Sequence, residues 1–422
     1  MIKKILLLFI ILVYQISAVN KDDIKKRISD ILKEIPSNTT IAILIYDPLT
    51  QDTIFQKNHT ISLVPASNTK LFTTATALSI MGGDFPLATK ILCGDNNLKD
   101  GVINGNLYIK GYGNSVFTSE DLSEMVRDIK KLGIKKITGN IIGDDSYFDE
   151  IYTRADWIND EAPNIKLPPV SALVINRNRI LTHRTVRYRR RGKIRRRVIY
   201  YHRDMSNPPL YIARLLREKL QKEGIKVLKS AGKGVTPSNS QVLAQSKILL
   251  KDLVQRINKH SDNFLAECLF KTIGAVATGK QGNSFYSTQT ILKFLKDNGI
   301  YAKGTAVVDG SGLSRYDLVT VGAIVGLLQK MYLDSKNFKD FYNSLSIAGI
   351  DGTLRDRMIG SSAENDFHGK TGTLNGVSSL SGYLKTANGE DLIVSIIFDF
   401  KRGRTHLYRK IENKIVEILT NW

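Results

Sequence analysis

Ser67-Asn-Thr-Lys70 and the run behind it, Leu71-Phe-Thr-Thr-Ala-Thr-Ala-Leu-Ser-Ile80, decide how this chain is read. The run is apolar or small throughout and predicts a buried helix. Residues three apart on a helix share a face, so Lys70 lies one turn from Ser67. A second copy of the pattern, Ser230-Ala-Gly-Lys233, sits among turn-forming glycines and is read as structural. Two further strings stand out. Ser261-Asp-Asn263 interrupts a helical region as a loop. Lys370-Thr-Gly372 opens a series of strands: Thr371–Leu374, Val377–Leu384 and Leu392–Phe398, separated by Asn375-Gly376 and Asn388-Gly389. Asn-Gly between apolar runs is the strongest short hairpin signal, so Lys370 opens an antiparallel meander and can point along its edge strand into a cleft. Gly369-Lys370-Thr371 is not the end of a phosphate loop, because the first glycine of that pattern would fall at Glu364.

The chain has 422 residues, enough for two or three domains, and its 42% apolar content supports a sizeable core. Lys3-Lys4, the apolar stretch Ile5 to Tyr14 and Ile16-Ser17-Ala18 read as a signal peptide over residues 1–18, too short to span a bilayer comfortably. No cysteine follows it, which argues against a lipid anchor. Export to the periplasm, with association to the envelope as an option, is therefore expected. The two cysteines, Cys93 and Cys268, are expected as buried, unpaired thiols. Neither they nor the six histidines show metal-ligand spacing, so no metal or cofactor is implied. His368 is read as a polar residue flanking a strand.

Net charge is +21 and unevenly placed: residues 184–203 hold ten Arg or Lys and no acid. Gly192-Lys193 lies midway between Thr185–Tyr188 and Arg197–Tyr201, which predicts a β-hairpin, residues 183–203, with a basic tip. One reading is a solvated hairpin whose charge keeps an edge from aggregating. The other is contact with an anionic envelope polymer or membrane surface through Arg189, Arg190, Arg191, Arg195, Arg196 and Arg197. No nucleic-acid motif accompanies the patch, and the export signal favours envelope polyanions over nucleic acid.

Along the chain, Lys21–Lys33 is amphipathic, and Thr40–Tyr46 and Thr53–Gln56 read as paired strands. Short β runs and turns fill 87–247, with helices near Ser119–Leu132 and Leu210–Glu223. Leu250, Leu253, Val254 and Ile257 form a helical stripe, and Leu407, Ile411, Ile415 and Ile418 form the last one. The simplest topology puts both chain ends, 19–86 and 248–422, into one domain, with 87–247 inserted.

The three strings in this order match the S-x-x-K, S-x-N and K-T-G set of the penicillin-recognising serine enzymes. Further strings extend the likeness: Gly143-Asp-Asp-Ser-Tyr-Phe148, Pro169-Val-Ser-Ala-Leu173, Asp309-Gly-Ser-Gly-Leu-Ser-Arg315 and Gly349-Ile-Asp-Gly-Thr-Leu-Arg355. With them the chain resembles the D-alanyl-D-alanine carboxypeptidase/endopeptidase family of low-molecular-mass class C penicillin-binding proteins (peptidase family S13). It departs from that family in a shorter insertion, and Gly111-Tyr-Gly-Asn114 stands where a Gly-Asp-Pro string is usual. The resemblance implies an α+β fold: a serine β-lactamase/transpeptidase-like domain, an antiparallel sheet flanked by helices, carrying an inserted β-rich second domain. It implies Ser67 as nucleophile, Lys70 as its base, Ser261 as proton relay, Asn263 as clamp on the substrate amide and Lys370 as cationic anchor. It places the oxyanion hole at the N–H groups of Ser67 and Thr373. Thr371, Gly372 and Thr373 would bind the terminal carboxylate, and Asp144, Phe148 and Arg315 the stem-peptide side chain. Peptidoglycan stem peptides are the implied substrates and β-lactams the implied inhibitors. Two alternatives share the residues: a β-lactamase-type hydrolase, and a non-catalytic scaffold that binds envelope polyanions.

Overall fold

The computed structural model describes residues 21–157, 166–190, 193–300, 303–401 and 404–422. The expected signal segment, 1–18, and Arg191 lie outside the described residues. A six-stranded antiparallel sheet runs in the order Ser346–Ile347, Phe367–Leu374, Val377–Lys385, Asp391–Phe400, Thr39–Tyr46 and Thr53–Lys57. Both Asn-Gly pairs are its tight turns, with Gly376 at φ 78° and Gly389 at φ 81°, where a side chain would be strained.

The sheet separates two cores, and strand periodicity says why. Successive side chains point to opposite faces. Ala42 and Leu44 join the core that surrounds the helix Thr69–Met81. Ile41, Ile43 and Ile45 join the other, beneath the helices Lys21–Leu32 and Thr405–Thr420. In the C-terminal helix Tyr408, Ile411, Ile415 and Leu419 are buried against the sheet. Tyr408 stacks on Phe400 with centroids 3.8 Å apart, and its hydroxyl meets Thr39 Oγ1 at 2.9 Å. The helix Thr69–Met81 is buried along ten consecutive residues, Thr69 to Leu78, between the sheet and the helices Leu250–His260 and Asn263–Thr278.

The inserted segment builds its own core on a five-stranded sheet, ordered Ala231–Lys233, Ile141–Asp144, Leu107–Tyr112, Pro86–Gly94 and Ser240–Leu249. Its first three strands are parallel and its last two antiparallel. The helices Ser119–Lys131 and Pro208–Lys222 cover it, the first closed by a capping box between Thr118 and Asp121. Arg179–Arg190 and Lys193–Asp204 form a separate two-stranded ribbon, paired from Arg179↔Asp204 outward. The ribbon begins earlier than residue 183 because the Arg179–Asp204 ion pair, 3.0 Å, closes its base. Cys93 and Cys268 are buried and unpaired. No helix among the described residues is long and apolar enough to cross a membrane.

Tyr408→Ala should cost about 3–5 kcal/mol of stability, the usual range for deleting a buried aromatic. Urea unfolding measures it; a cost under about 1 kcal/mol would mean that this helix is not seated on the sheet as described.

Candidate active site

The sheet offers the nucleophile a shallow seat. On the face above it the strands carry serines and glycine instead of large side chains. Ser379 Oγ donates to the Pro65 carbonyl at 2.8 Å, Asn68 Nδ2 donates to Ser381 Oγ at 2.9 Å, and Ser381 meets Ser395 at 2.9 Å. Gly372 completes the seat. A Cβ there would stand 2.8 Å from the Pro65 oxygen and 3.0 Å from the Ser67 nitrogen, so only glycine lets the strand come this close. The chain enters the turn Ala66–Asn68 through Ala66, a buried alanine at φ 50°. Such a left-handed non-glycine residue costs roughly 1–3 kcal/mol and persists only where packing over-determines it.

Lys70 follows one turn into the helix, and its Nζ has three oxygens in reach. Ser67 Oγ lies at 2.9 Å, Asn263 Oδ1 at 2.6 Å and the Ser311 carbonyl at 2.5 Å. Lys370, on the strand Phe367–Leu374, donates to Ser261 Oγ at 3.0 Å and to the Thr371 carbonyl at 2.7 Å. Ser261 takes the left-handed conformation, φ 54°, that ends the helix Leu250–His260. Asp262 then caps the next helix by accepting from Leu265 N, and Arg177 of the inserted segment grips it with two hydrogen bonds of 2.6 and 2.9 Å. The middle residue of this motif therefore ties the insert to the site.

Both lysines are fully buried. Burial lowers Lys70 to about 8, and the charges of Asp309, Glu267, Asp262 and Asp317 keep it from falling further. Lys370 is driven well below the ordinary lysine range, by burial first and then by the charge of Lys70. Behind Lys70, burial and the neighbouring Asp309 push Glu267 up to about 8 and Asp317 well above its usual value.

These carboxyls wind a loop. Asp309 accepts from the backbone N–H of Ser311 at 3.0 Å, Gly312 at 2.6 Å and Ser314 at 2.8 Å. Asp317 accepts from Val308 N at 2.7 Å, and Glu267 from Gly310 N at 3.0 Å. The loop so formed delivers the Ser311 carbonyl to Lys70. The sequence singles out none of these acids; the one local signal is Glu267, an acid inside the largely apolar helix Asn263–Thr278.

Ser67 and Ser261 open into a cleft of about 570 Å³ that Thr353, Thr371, Thr373 and Arg409 also line. Thr371 donates to Thr353 at 2.8 Å, and Arg409 Nη2 donates to Thr373 Oγ1 at 3.0 Å. Arg315 sits at the far end of the anchor strand, donating to the Asn375 carbonyl at 2.8 Å. Asp144 and Phe148 do not line this cleft. Asp144 is buried in the insert against Lys110 at 3.1 Å. Burial alone would raise its carboxyl, but hydrogen bonds from Ser146 and Thr236 hold it below the usual range. Phe148 is in the core beside the catalytic helices. Ser230 lies in the insert, donating to Asn140 at 3.3 Å. His368 stacks on Tyr342, 4.1 Å between centroids, and burial lowers it to about 4, so it stays neutral.

The model of the D-Ala-D-Ala carboxypeptidase 3 (S13) family matches residues 24–196 and 197–422. The chain is 27% identical over 417 residues to a D-alanyl-D-alanine carboxypeptidase of Actinomadura sp. (strain R39), covering 84% of this chain and 77% of that one. It is 25% identical over 429 residues to the D-alanyl-D-alanine carboxypeptidase DacB of Haemophilus influenzae, covering 89% of each. Among solved structures, penicillin binding protein 4 (dacB) from Haemophilus influenzae has the same fold, with a TM-score of 0.81 at 22% identity over 94% of this chain and 99% of that one. With the match extending over the catalytic and inserted segments alike, the chain belongs to the D-Ala-D-Ala carboxypeptidase 3 (S13) family.

Proposed function

We propose that Ser67 cuts peptidoglycan stem peptides after D-alanine through a covalent ester, with Lys70 as its base. The enzyme class follows from the family: a serine-type D-Ala-D-Ala carboxypeptidase, a hydrolase whose acyl-enzyme chemistry β-lactams intercept.

The observation that carries the assignment of roles is the bonding of Lys70 Nζ. Asn263 Oδ1 and the Ser311 carbonyl can only accept, so each takes one N–H. A neutral amine has two N–H and one lone pair, which leaves the lone pair facing Ser67 Oγ. Ser67 then gives its proton to Lys70 as its oxygen bonds to the substrate carbonyl carbon. The displaced electron pair moves to the carbonyl oxygen, held by the N–H groups of Ser67 and Thr373. When the C–N bond breaks, the nitrogen takes a proton from Ser261. Ser261 regains its proton from Lys370, which is hydrogen-bonded to it. Lys70 then passes the proton it took from Ser67 to Lys370, which the relay has left neutral; neutral Lys70 takes a proton from the water that attacks the ester carbonyl and returns it to Ser67 Oγ as the acyl group leaves.

The substrate's carboxylate would lie against Thr371, Gly372 and Thr373. An anion beside Lys370 favours its charged form, and a charged Lys370 disfavours a proton on Lys70. Binding thereby frees the base. Asn263 is placed to meet the substrate amide, and Arg315 offers a polar group at the rim. Asp144 and Phe148, expected at the stem-peptide side chain, are buried away from the cleft and are given no part in binding here.

The signal segment and the family together support a periplasmic enzyme. For the ribbon we favour an anionic envelope polymer or membrane surface. Arg189, Arg195, Arg196 and Arg197 are exposed, and Arg187 stands directly opposite Arg196. Like charges facing each other across a two-stranded ribbon destabilise it, and a polyanion would relieve that repulsion.

Incubation with benzylpenicillin should leave one adduct on Ser67 by intact mass and peptide mapping, and none on Ser67→Ala; rapid consumption without an adduct would favour a β-lactamase. Lys70 gains its neutral form as pH rises through about 8, so the acylation rate should climb roughly tenfold from pH 7 to pH 9. A flat profile would remove Lys70 as base. Sedimentation with envelope fragments should weaken steeply with salt and fall further in a variant carrying Arg195→Glu, Arg196→Glu and Arg197→Glu. Unchanged sedimentation would reject the ribbon's role.

A further inference from the structure

One face of the insert's five-stranded sheet packs beneath helices. Ile91, Cys93, Leu107, Ile109 and Ala244 point into that core, under the helices Ser119–Lys131 and Pro208–Lys222. Strand alternation therefore sends Lys90, Lys110, Tyr112, Gln245 and Lys247 to the other face. A pocket of about 270 Å³ opens there, its lining including Phe85, Lys90, Tyr112, Tyr147, Gln245 and Lys247. None of its residues lines the cleft of Ser67. Ser67 stands at the start of the helix Thr69–Met81 and Phe85 follows its end, and 13 residues of helix span about 20 Å.

Three ammonium groups crowd this face and one carboxylate answers them. Lys90 stands directly opposite Lys110 in the strand register, and Lys247, paired with Ala88, is its diagonal neighbour on the other side. Like charges so placed destabilise a sheet. Lys110 is compensated by buried Asp144 at 3.1 Å. Among the described residues no carboxylate pairs with Lys90 or Lys247. Lys90 is half-buried, with its Nζ 5.1 Å from the centroid of the Tyr112 ring, and Lys110 Nζ lies 5.5 Å from the same centroid. An anion in the pocket would relieve the repulsion, and a half-buried ammonium holds it more firmly than a solvated one.

The rest of the lining suits a ring rather than a bare ion. Tyr112 and Tyr147 meet with centroids 5.4 Å apart at 59°, an angled aromatic corner. Tyr147 is fixed in place: its carbonyl accepts from Gly282 N at 2.9 Å, and its ring stacks on Phe148 at 5.7 Å. Such a corner packs against the C–H faces of a saturated ring, while the tyrosine hydroxyls and the exposed Gln245 amide can exchange hydrogen bonds with ring hydroxyls. The volume lies near the lower end of the usual range for ligand sites, roughly 300–1,000 Å³, and so fits one ring.

We propose that this pocket binds a pyranose that carries a carboxylate, a uronic or muramic acid, with Lys90 and Lys247 on the carboxylate and the two tyrosines on the ring. The site is separate from the chemistry and does not depend on the acyl-enzyme reading above.

Ligand-observed NMR titration of the whole protein with N-acetylmuramic acid and with N-acetylglucosamine tests it, because the two share a ring and differ by the lactyl acid. The acid should bind roughly tenfold more tightly, and the difference should vanish in a variant carrying Lys90→Gln and Lys247→Gln. Tyr112→Leu should weaken both sugars, with an unchanged thermal midpoint showing that each variant is folded. Equal affinities in the wild type, or no binding of either sugar, would overturn the site. Inorganic phosphate that displaced the acid at equal concentration would reduce the pocket to a plain anion site and overturn the saccharide assignment.

Discussion

Two lysines share one buried site, and the rest of the architecture answers to that constraint. Removing an ammonium group from water is expensive unless it is paired or discharged. Lys70 is partly compensated by carboxyls behind it, Asp309, Glu267 and Asp317, which reach it from the helix Asn263–Thr278 and from the loop before the helix Val321–Tyr332. Among the described residues Lys370 has a hydroxyl and a carbonyl as its hydrogen-bond partners. The two differ in what acts beside burial: nearby acids hold Lys70 at about 8, whereas the charge of Lys70 adds to burial in driving Lys370 well below the ordinary lysine range.

The carboxyls have their own cost, met by the same loop. Asp309 collects three backbone N–H groups, while burial first, and then the neighbouring Asp309, raises the pKa of Glu267 and Asp317. The strained backbone lies where these devices meet. Ala66 and Ser261 both sit at positive φ, the first beside Ser67 and the second itself hydrogen-bonded to Lys370.

The residues that the structure brings together around Ser67 stood out in the sequence because each breaks its local context. Lys70 is a charge at the head of a buried helix, and Lys370 precedes two Asn-Gly turns that fix the meander. The insert's core helices were legible as periodic stripes, but the parallel pairing of its strands was not, since short strands carry no partner in their own pattern. Asp309, Asp317 and Glu267 were invisible as a group because only the fold brings them together. The same holds for Arg177 and Asp262, which join segments far apart in the chain. On the last helix the apolar stripe was read and the polar one at Arg409 and Lys410 was not. A polar face is ordinarily solvated, and nothing local says that this one borders a cleft.

The excess of positive charge then takes on a graded meaning. The arginine ribbon forms a sheet of its own and carries exposed charge of the kind that salt screens. Arg409 and Lys410 line the cleft into which Ser67 and Ser261 open. Lys370 lies within the site, where a single anion decides its proton. The drier a charge's surroundings, the more strongly it feels another, so buried Lys370 is the cation most responsive to a nearby anion. In the mechanism proposed above, the substrate's carboxylate charges Lys370, and the repulsion so created leaves Lys70 neutral beside Ser67. In this arrangement the substrate's own charge prepares the nucleophile, and an empty site holds its base in reserve as an ammonium ion.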